Sequence, residues 1–172
     1  MARDCGLPYI LSGRFPLPKR ILIADDHESV LRRVRAMLES QPTWEVCGEA
    51  VNGREAVAKA VQLKPDLVVV DFAMPQLDGL KTASEIHALL PEVPIVMFTM
   101  YAPQVKQEVQ KYGISCLVDK SESGALVTAV QELLRTKESL PEQPSSGPVP
   151  FSSPALDRDS QKGERGPITK AS

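Results

Sequence analysis

A chain of 172 residues suits one domain with flanking segments, and its 42% apolar and 24% charged content is that of an ordinary globular protein. A formal net charge of −2 argues against direct DNA binding, which calls for a basic face or stripe. No apolar run approaches the roughly 18 residues that cross a bilayer, so no membrane contact is expected. Cys5, Cys47 and Cys116 lack metal-ligand spacing, and the last two sit in apolar runs, which reads as buried thiols in a reducing cytoplasm.

In chain order, residues 1–18 come first. Asp4, Pro8 and Arg14 interrupt the short apolar patch Leu7 to Leu11, so it cannot serve as a signal-peptide core. The segment reads as a disordered extension or as the product of a misplaced start codon. From Lys19 to about Thr136, short β-rich runs alternate with helical patterns. Ile21-Leu22-Ile23-Ala24 is a buried strand that ends in Asp25-Asp26. From Glu28 to Ser40, Val30, Leu31, Val34, Met37 and Leu38 fall on one helical stripe, with Arg32, Arg33 and Arg35 outside it. Trp44 to Ala50 alternates as an edge strand does. Asn52-Gly53 opens a helix with the stripe Ala56, Val57, Ala60 and Val61, which ends before Pro65.

Leu67-Val68-Val69-Val70 is the most hydrophobic run and ends in Asp71, as a central parallel strand would. Met74 to Gly79 is a loop with Pro75 fixing its course and Asp78 a solvated loop residue or a helix cap. The following helix turns Leu80, Ala83, Ile86, Leu89 and Leu90 inward, with His87 solvated. Ile95 to Thr99 is a fourth strand packed around Phe98. A weaker helix runs from about Pro103 to Tyr112, closed by Gly113. Cys116-Leu117-Val118 is a fifth strand leading to Asp119-Lys120, and Leu126, Val127, Val130, Leu133 and Leu134 stripe the last helix. Beyond it, residues 137–172 are rich in Ser, Pro and Gly, which reads as a disordered tail too broken for a helix-turn-helix output domain.

Strict strand–helix alternation predicts an α/β fold with a doubly wound, five-stranded parallel sheet of order 2-1-3-4-5, helices on both faces. In such a sheet ligands bind past the carboxyl ends of the strands, at the switch point between the first and third. Asp25, Asp26 and Asp71 all fall there. Three unpaired carboxylates would repel one another, and a hard divalent cation such as Mg²⁺ relieves that. Thr99 ends strand four with a hydroxyl, and Lys120 follows strand five with a point cation suited to a phosphate oxygen. Nucleophile, charge neutraliser and two phosphate ligands make a phosphoryl-transfer set. An aspartate-nucleophile phosphatase would want Asp-x-Asp after the first strand, and here the second acid is adjacent. A dinucleotide-binding enzyme would want Gly-x-Gly-x-x-Gly there, and Ala24-Asp25-Asp26-His27-Glu28 has no glycine. His27 reads as a helix-start residue rather than a ligand.

The runs Ile21 to His27, Asp66 to Gly79, Thr99 and Leu117 to Ser121 together resemble the receiver domains of two-component response regulators, over residues 19–136. His27 and the Lys120-Ser121 pair look closest to receivers joined to LuxR-type DNA-binding domains. The resemblance implies a flavodoxin-like fold and a signalling phosphoacceptor rather than an enzyme. It implies that Asp71 takes the phosphoryl group from a sensor histidine kinase or a phosphotransfer protein. Asp26 would bind Mg²⁺ directly, Asp25 through water and Ala73 through its main-chain carbonyl, with Asp71 also in the metal set. Thr99 and Lys120 would hold the phosphoryl oxygens. Output would pass by protein contacts to an unnamed target, with a phosphorylation-dependent homodimer left open. Leu117 stands where the family usually has a switch aromatic, and the bulky Met100 where it has Ala or Gly. Tyr101 follows as a surface residue or a lid. A degenerate receiver, binding partners without phosphorylation, is the alternative that Leu117 and Met100 keep open.

Overall fold

The computed structural model describes residues 17–138. The expectations for most of the leading segment, and for nearly all of the tail, lie outside the described residues. Five strands form one parallel sheet in the order β2-β1-β3-β4-β5, as the alternation predicted: β1 Lys19–Ala24, β2 Trp44–Ala50, β3 Leu67–Val70, β4 Ile95–Thr99 and β5 Cys116–Asp119. The helices are α1 Glu28–Glu39, α2 Gly53–Leu63, α3 Gly79–Leu89, α4 Ala102–Val105 and α5 Ser123–Glu138.

The pleat sends alternate residues of the central strands to opposite faces, which makes two cores. Leu22, Ala24, Val68, Val70, Ile95 and Met97 pack against Ala56 and Ala60 of α2 and Ala83 and Ile86 of α3. Ile21, Ile23, Leu67, Val69, Val96 and Phe98 pack against Leu31, Val34 and Leu38 of α1 and Leu126, Val130 and Leu134 of α5. Each buried Val, Leu, Ile, Met or Phe among them contributes about 1.5–3 kcal/mol over its exposed form. The stripe along α2 is narrower than its sequence suggests, because Ala56 and Ala60 are its buried core residues, Gly53 lies against Leu77 and Thr82, and Val61 turns to solvent. Leu89 likewise lies outside the buried face of α3. His87 is exposed as expected, although its ring lies against Gly113, whose φ is +71°.

Two further expectations change. The helix expected over 103–112 is a single α-turn, followed by a 3₁₀ turn at Val109–Tyr112. Val105 is the one fully buried side chain in these two turns, and a helix without an apolar stripe gains little from packing. The two cysteines are half-buried rather than buried, and burial still pushes both thiols upward in pKa. Cys47 is the extra residue of a β-bulge, since Ile21 pairs with Val46 and Leu22 with Gly48; its thiol lies 3.5 Å from the Ile21 carbonyl oxygen.

Candidate functional site

Register brings two of the acids together. Ala24 of β1 pairs with Val70 of β3, so Asp25 and Asp71 leave adjacent strands side by side. The Asp71 amide donates to the Ala24 carbonyl at 2.9 Å, and both carboxylates are buried, at 4% and 5% exposure. Lys120 reaches them from the end of β5, its Nζ 2.6 Å from Asp25 Oδ2 and 3.1 Å from Asp71 Oδ2. The expected unpaired repulsion is therefore corrected: without a metal, one ammonium lies between two carboxylates. It cannot neutralise both. Burial pushes the Asp71 carboxyl above the ordinary carboxylate range, Lys120 pulls it back, Asp25 adds to the push and the Thr99 hydroxyl opposes it. Asp71 Oδ1 is buried with no hydrogen-bond partner. Lys120 itself is placed by Asp119, which N-caps the 3₁₀ turn Lys120–Glu122 by accepting from the Ser121 amide at 2.8 Å and its hydroxyl at 2.6 Å.

Asp26 stands at the rim. Its Oδ1 lies 2.8 Å from His27 Nδ1, which is also 3.5 Å from Asp25 Oδ1. Each of Asp25, Asp26 and His27 thus offers a ligand atom within 4.8 Å of the others. Ala73 lines, with His27, Asp71 and Lys120, a cavity of about 470 Å³. The loop carrying Ala73 is fixed at both ends. Asp78 caps α3 by accepting from the Lys81 amide at 2.9 Å, and the Gly79 amide donates to Phe72 at 2.8 Å. A Cβ at Gly79 would overlap the Asp71 carbonyl oxygen, so only glycine lets α3 start so close to the acid.

Thr99 is fully buried, and its Oγ1 accepts from the Tyr101 amide at 3.2 Å. The Tyr101 ring meets Phe72 edge-on, centroids 5.9 Å apart. Phe72 follows Asp71 and Tyr101 lies two residues past Thr99, so the pair links the two strand ends. Met100 is 73% exposed at the cavity rim. Leu117 is half-buried and opens on a separate cleft of about 340 Å³ with Ala102, Pro103, Lys106, Asp119 and Glu122. The sequence reading missed the Phe72–Tyr101 contact, which no local pattern encodes. It also missed the role of Gly79, for which the Asp-Gly pair was a usable signal.

The donor set is oxygen-rich and hard: Asp25 and Asp26 follow β1, and beside Asp25 across the β1–β3 pair stands Asp71, whose Oδ1 is an unpartnered, buried acceptor. That fits a Mg²⁺-type cation, which takes carboxylate and carbonyl oxygens and keeps waters. An aspartate beside a lysine and a hydroxyl can act as a nucleophile towards an electrophile bearing anionic oxygens.

The fold and site define a doubly wound α/β protein with its polar residues at the β1/β3 switch point. Residues 21–131 match the family described as response regulator receiver domain, and the chain belongs to that family. It is 44% identical over 80 residues to a protein-glutamate methylesterase/protein-glutamine glutaminase of Nocardioides sp., covering 46% of this chain and 22% of that one. It is 39% identical over 82 residues to the response regulator protein VraR of Staphylococcus aureus, covering 48% of this chain and 39% of VraR. The chain thus spans well under half the length of these curated relatives. Among solved structures, a LuxR-family two-component response regulator from Aurantimonas sp. superposes with a TM-score of 0.66 at 29% identity, over 69% of this chain and 86% of that one. Receivers are signalling domains, and no described helix is long and apolar enough to cross a membrane.

Proposed function

We propose that Asp71 accepts a phosphoryl group from the phosphohistidine of a sensor histidine kinase or phosphotransfer protein, and that the phosphorylated chain signals through protein contacts. One observation carries the reading: a buried carboxylate at the switch point, with one oxygen unpartnered and the other beside Lys120. Asp25, Asp26 and Asp71, with the Ala73 main-chain carbonyl, would hold Mg²⁺, and the ion would supply charge neutralisation for the incoming phosphoryl oxygens.

An Asp71 carboxylate oxygen attacks phosphorus. The new O–P bond forms as the N–P bond to the histidine breaks, and the departing imidazole takes the electron pair. The product is an acyl phosphate on Asp71. Lys120 exchanges its hold on Asp71 Oδ2 for a phosphoryl oxygen, and the Thr99 hydroxyl donates to another. Burial assists, because these contacts act in a water-poor pocket.

A small phosphodonor with Mg²⁺ is expected to add one phosphoryl mass to the wild-type chain and none to Asp71→Asn, read by intact-mass spectrometry. An unchanged wild-type mass would sink the proposal and favour a receiver that binds partners without phosphorylation.

A further inference from the structure

We infer that Met100 contacts the leaving group of the phosphodonor, so that the site favours a phosphoryl group carried on an aromatic ring such as imidazole. The inference rests on the proposed role of Asp71 and names the donor class of that same site. Asp71 is buried and borders two spaces. The one it shares with Ile23, Val69 and Phe98 measures about 10 Å³, no more than a single water needs. A donor therefore uses the other, of about 470 Å³. Attack on phosphorus runs in line, with the leaving group across phosphorus from the attacking oxygen. Once the phosphoryl group meets Asp71, the leaving group lies in that cavity.

The lining divides by chemistry. Lys120 beside Asp71 serves the phosphoryl oxygens, whereas the side chains of Val30 and Met100 have no hydrogen to donate to them. Met100 is 73% exposed, so it adds little to the core. A lone exposed apolar residue is ordinary on a surface. Met100 differs because it borders the cavity that Asp71 lines, on a backbone anchored at both neighbours. Thr99 before it is fully buried; the Tyr101 amide after it donates to Thr99 Oγ1, and the Tyr101 ring meets Phe72. Its flexible, polarisable thioether suits the edge of an aromatic ring. In the transfer, the Asp71 O–P bond forms as the N–P bond breaks. The ring nitrogen keeps the bonding pair, and a solvent proton makes the product neutral imidazole. With ammonia as the leaving group the contact to Met100 is not made.

N-phosphoimidazole and phosphoramidate are the probes, each given to the full chain with Mg²⁺ and followed by intact mass over time. Both transfer from nitrogen, and only the first carries a ring. The readout is the ratio of their second-order rate constants, ring donor over ringless, in which effects on Asp71, the metal or folding cancel. Met100→Ala is expected to lower that ratio about five-fold, within what a methionine–ring contact contributes. Met100→Leu, which keeps an apolar side chain, should hold the ratio within about two-fold of wild type. Met100→Gln, similar in length but polar, should lower it as Met100→Ala does. Equal changes for the two donors in Met100→Ala, or a ratio that Gln preserves, would overturn the inference and leave Asp71 standing as the acceptor. A wild-type chain that neither donor phosphorylates would overturn both.

Discussion

The β1–β3 half of the sheet and the β4–β5 flank meet at the same pocket, yet they are built differently. Around Asp25 and Asp71 every strand residue from Ile21 to Ala24 and from Leu67 to Val70 is buried, and Gly79 sits directly on the Asp71 backbone. The other side has one fully buried residue in β5, a four-residue α4 and the exposed Met100 and Tyr101. The first region leaves little room for displacement, so it fixes the position of Asp71. The second keeps β4 fully buried, but β5 and the segment between the two strands leave clefts and few buried anchors, so that part can change its arrangement at small cost. A switch needs both: a site that stays put and a neighbour that responds.

Lys120 joins the two regions, and its loss is expected to have the largest effect. Lys120→Ala would leave Asp25 and Asp71 buried without a counter-charge, a change that costs about 3–5 kcal/mol when a buried pair is broken. Urea unfolding in the absence of divalent ions measures this, and millimolar Mg²⁺ should restore part of the loss. Asp71→Asn alone is expected to stabilise the metal-free protein, because Lys120 and Asp25 then form an even pair. A Lys120→Ala variant as stable as wild type would mean that the carboxylates are not held by the flank at all.

The same substitution at two glycines separates the regions next. Gly79→Ala forces a methyl group into the Asp71 carbonyl oxygen and the Phe72 Cα, and is expected to cost about 2–3 kcal/mol. Gly124→Ala, in the first turn of α5, meets nothing within 4 Å and should stabilise by about 0.5 kcal/mol. Equal and small changes in chemical denaturation at the two positions would erase the distinction between a tight half and a loose flank.

The tight half was the more legible one in the sequence. β-branched runs ending in acids state both a buried parallel strand and the residue that emerges from it, and pairing of β1 with β3 then follows from the crossover rule. The convergence of Asp25, Asp26, Asp71, Thr99 and Lys120 on one strand-end face needed only those strand ends. What escaped depends on contacts between segments far apart in the chain. Lys120 bridging two carboxylates, Phe72 against Tyr101 and the Gly79 approach to Asp71 each involve loop geometry that no local period encodes. The segment after Thr99 misled for a different reason. Its residues allow a helix, but too few apolar side chains point inward to hold one, and propensity gives way to packing.

The smallest expected effect concerns how the flank responds. Leu117, half-buried beside the cleft formed with Ala102 and Pro103, has no hydroxyl to exchange between inside and outside and should stay packed in both states. Tyr101 has contacts that can differ between states: its amide donates to Thr99 Oγ1 at 3.2 Å and its ring rests on Phe72. If Thr99 turns to a phosphoryl oxygen, that hydrogen bond is strained or lost, and the edge-on ring contact, of about 0.5–1.5 kcal/mol, is remade or broken. A ligand shifts a two-state equilibrium only through contacts that differ between the states, so Tyr101 can carry the change where Leu117 cannot. NMR spectra of the metal-free form and the Mg²⁺–beryllofluoride form, the fluoride complex standing in for the phosphoryl group, provide the comparison. Large shifts from Thr99 to Tyr101 and at Phe72, with small ones at Leu117, are expected. Tyr101→Ala should leave beryllofluoride binding within about three-fold of wild type while removing the Phe72 shifts, as loss of a contact worth under about 1 kcal/mol would. A Leu117 that changes rotamer while its strand moves as far as Thr99 would place the response in β5 instead.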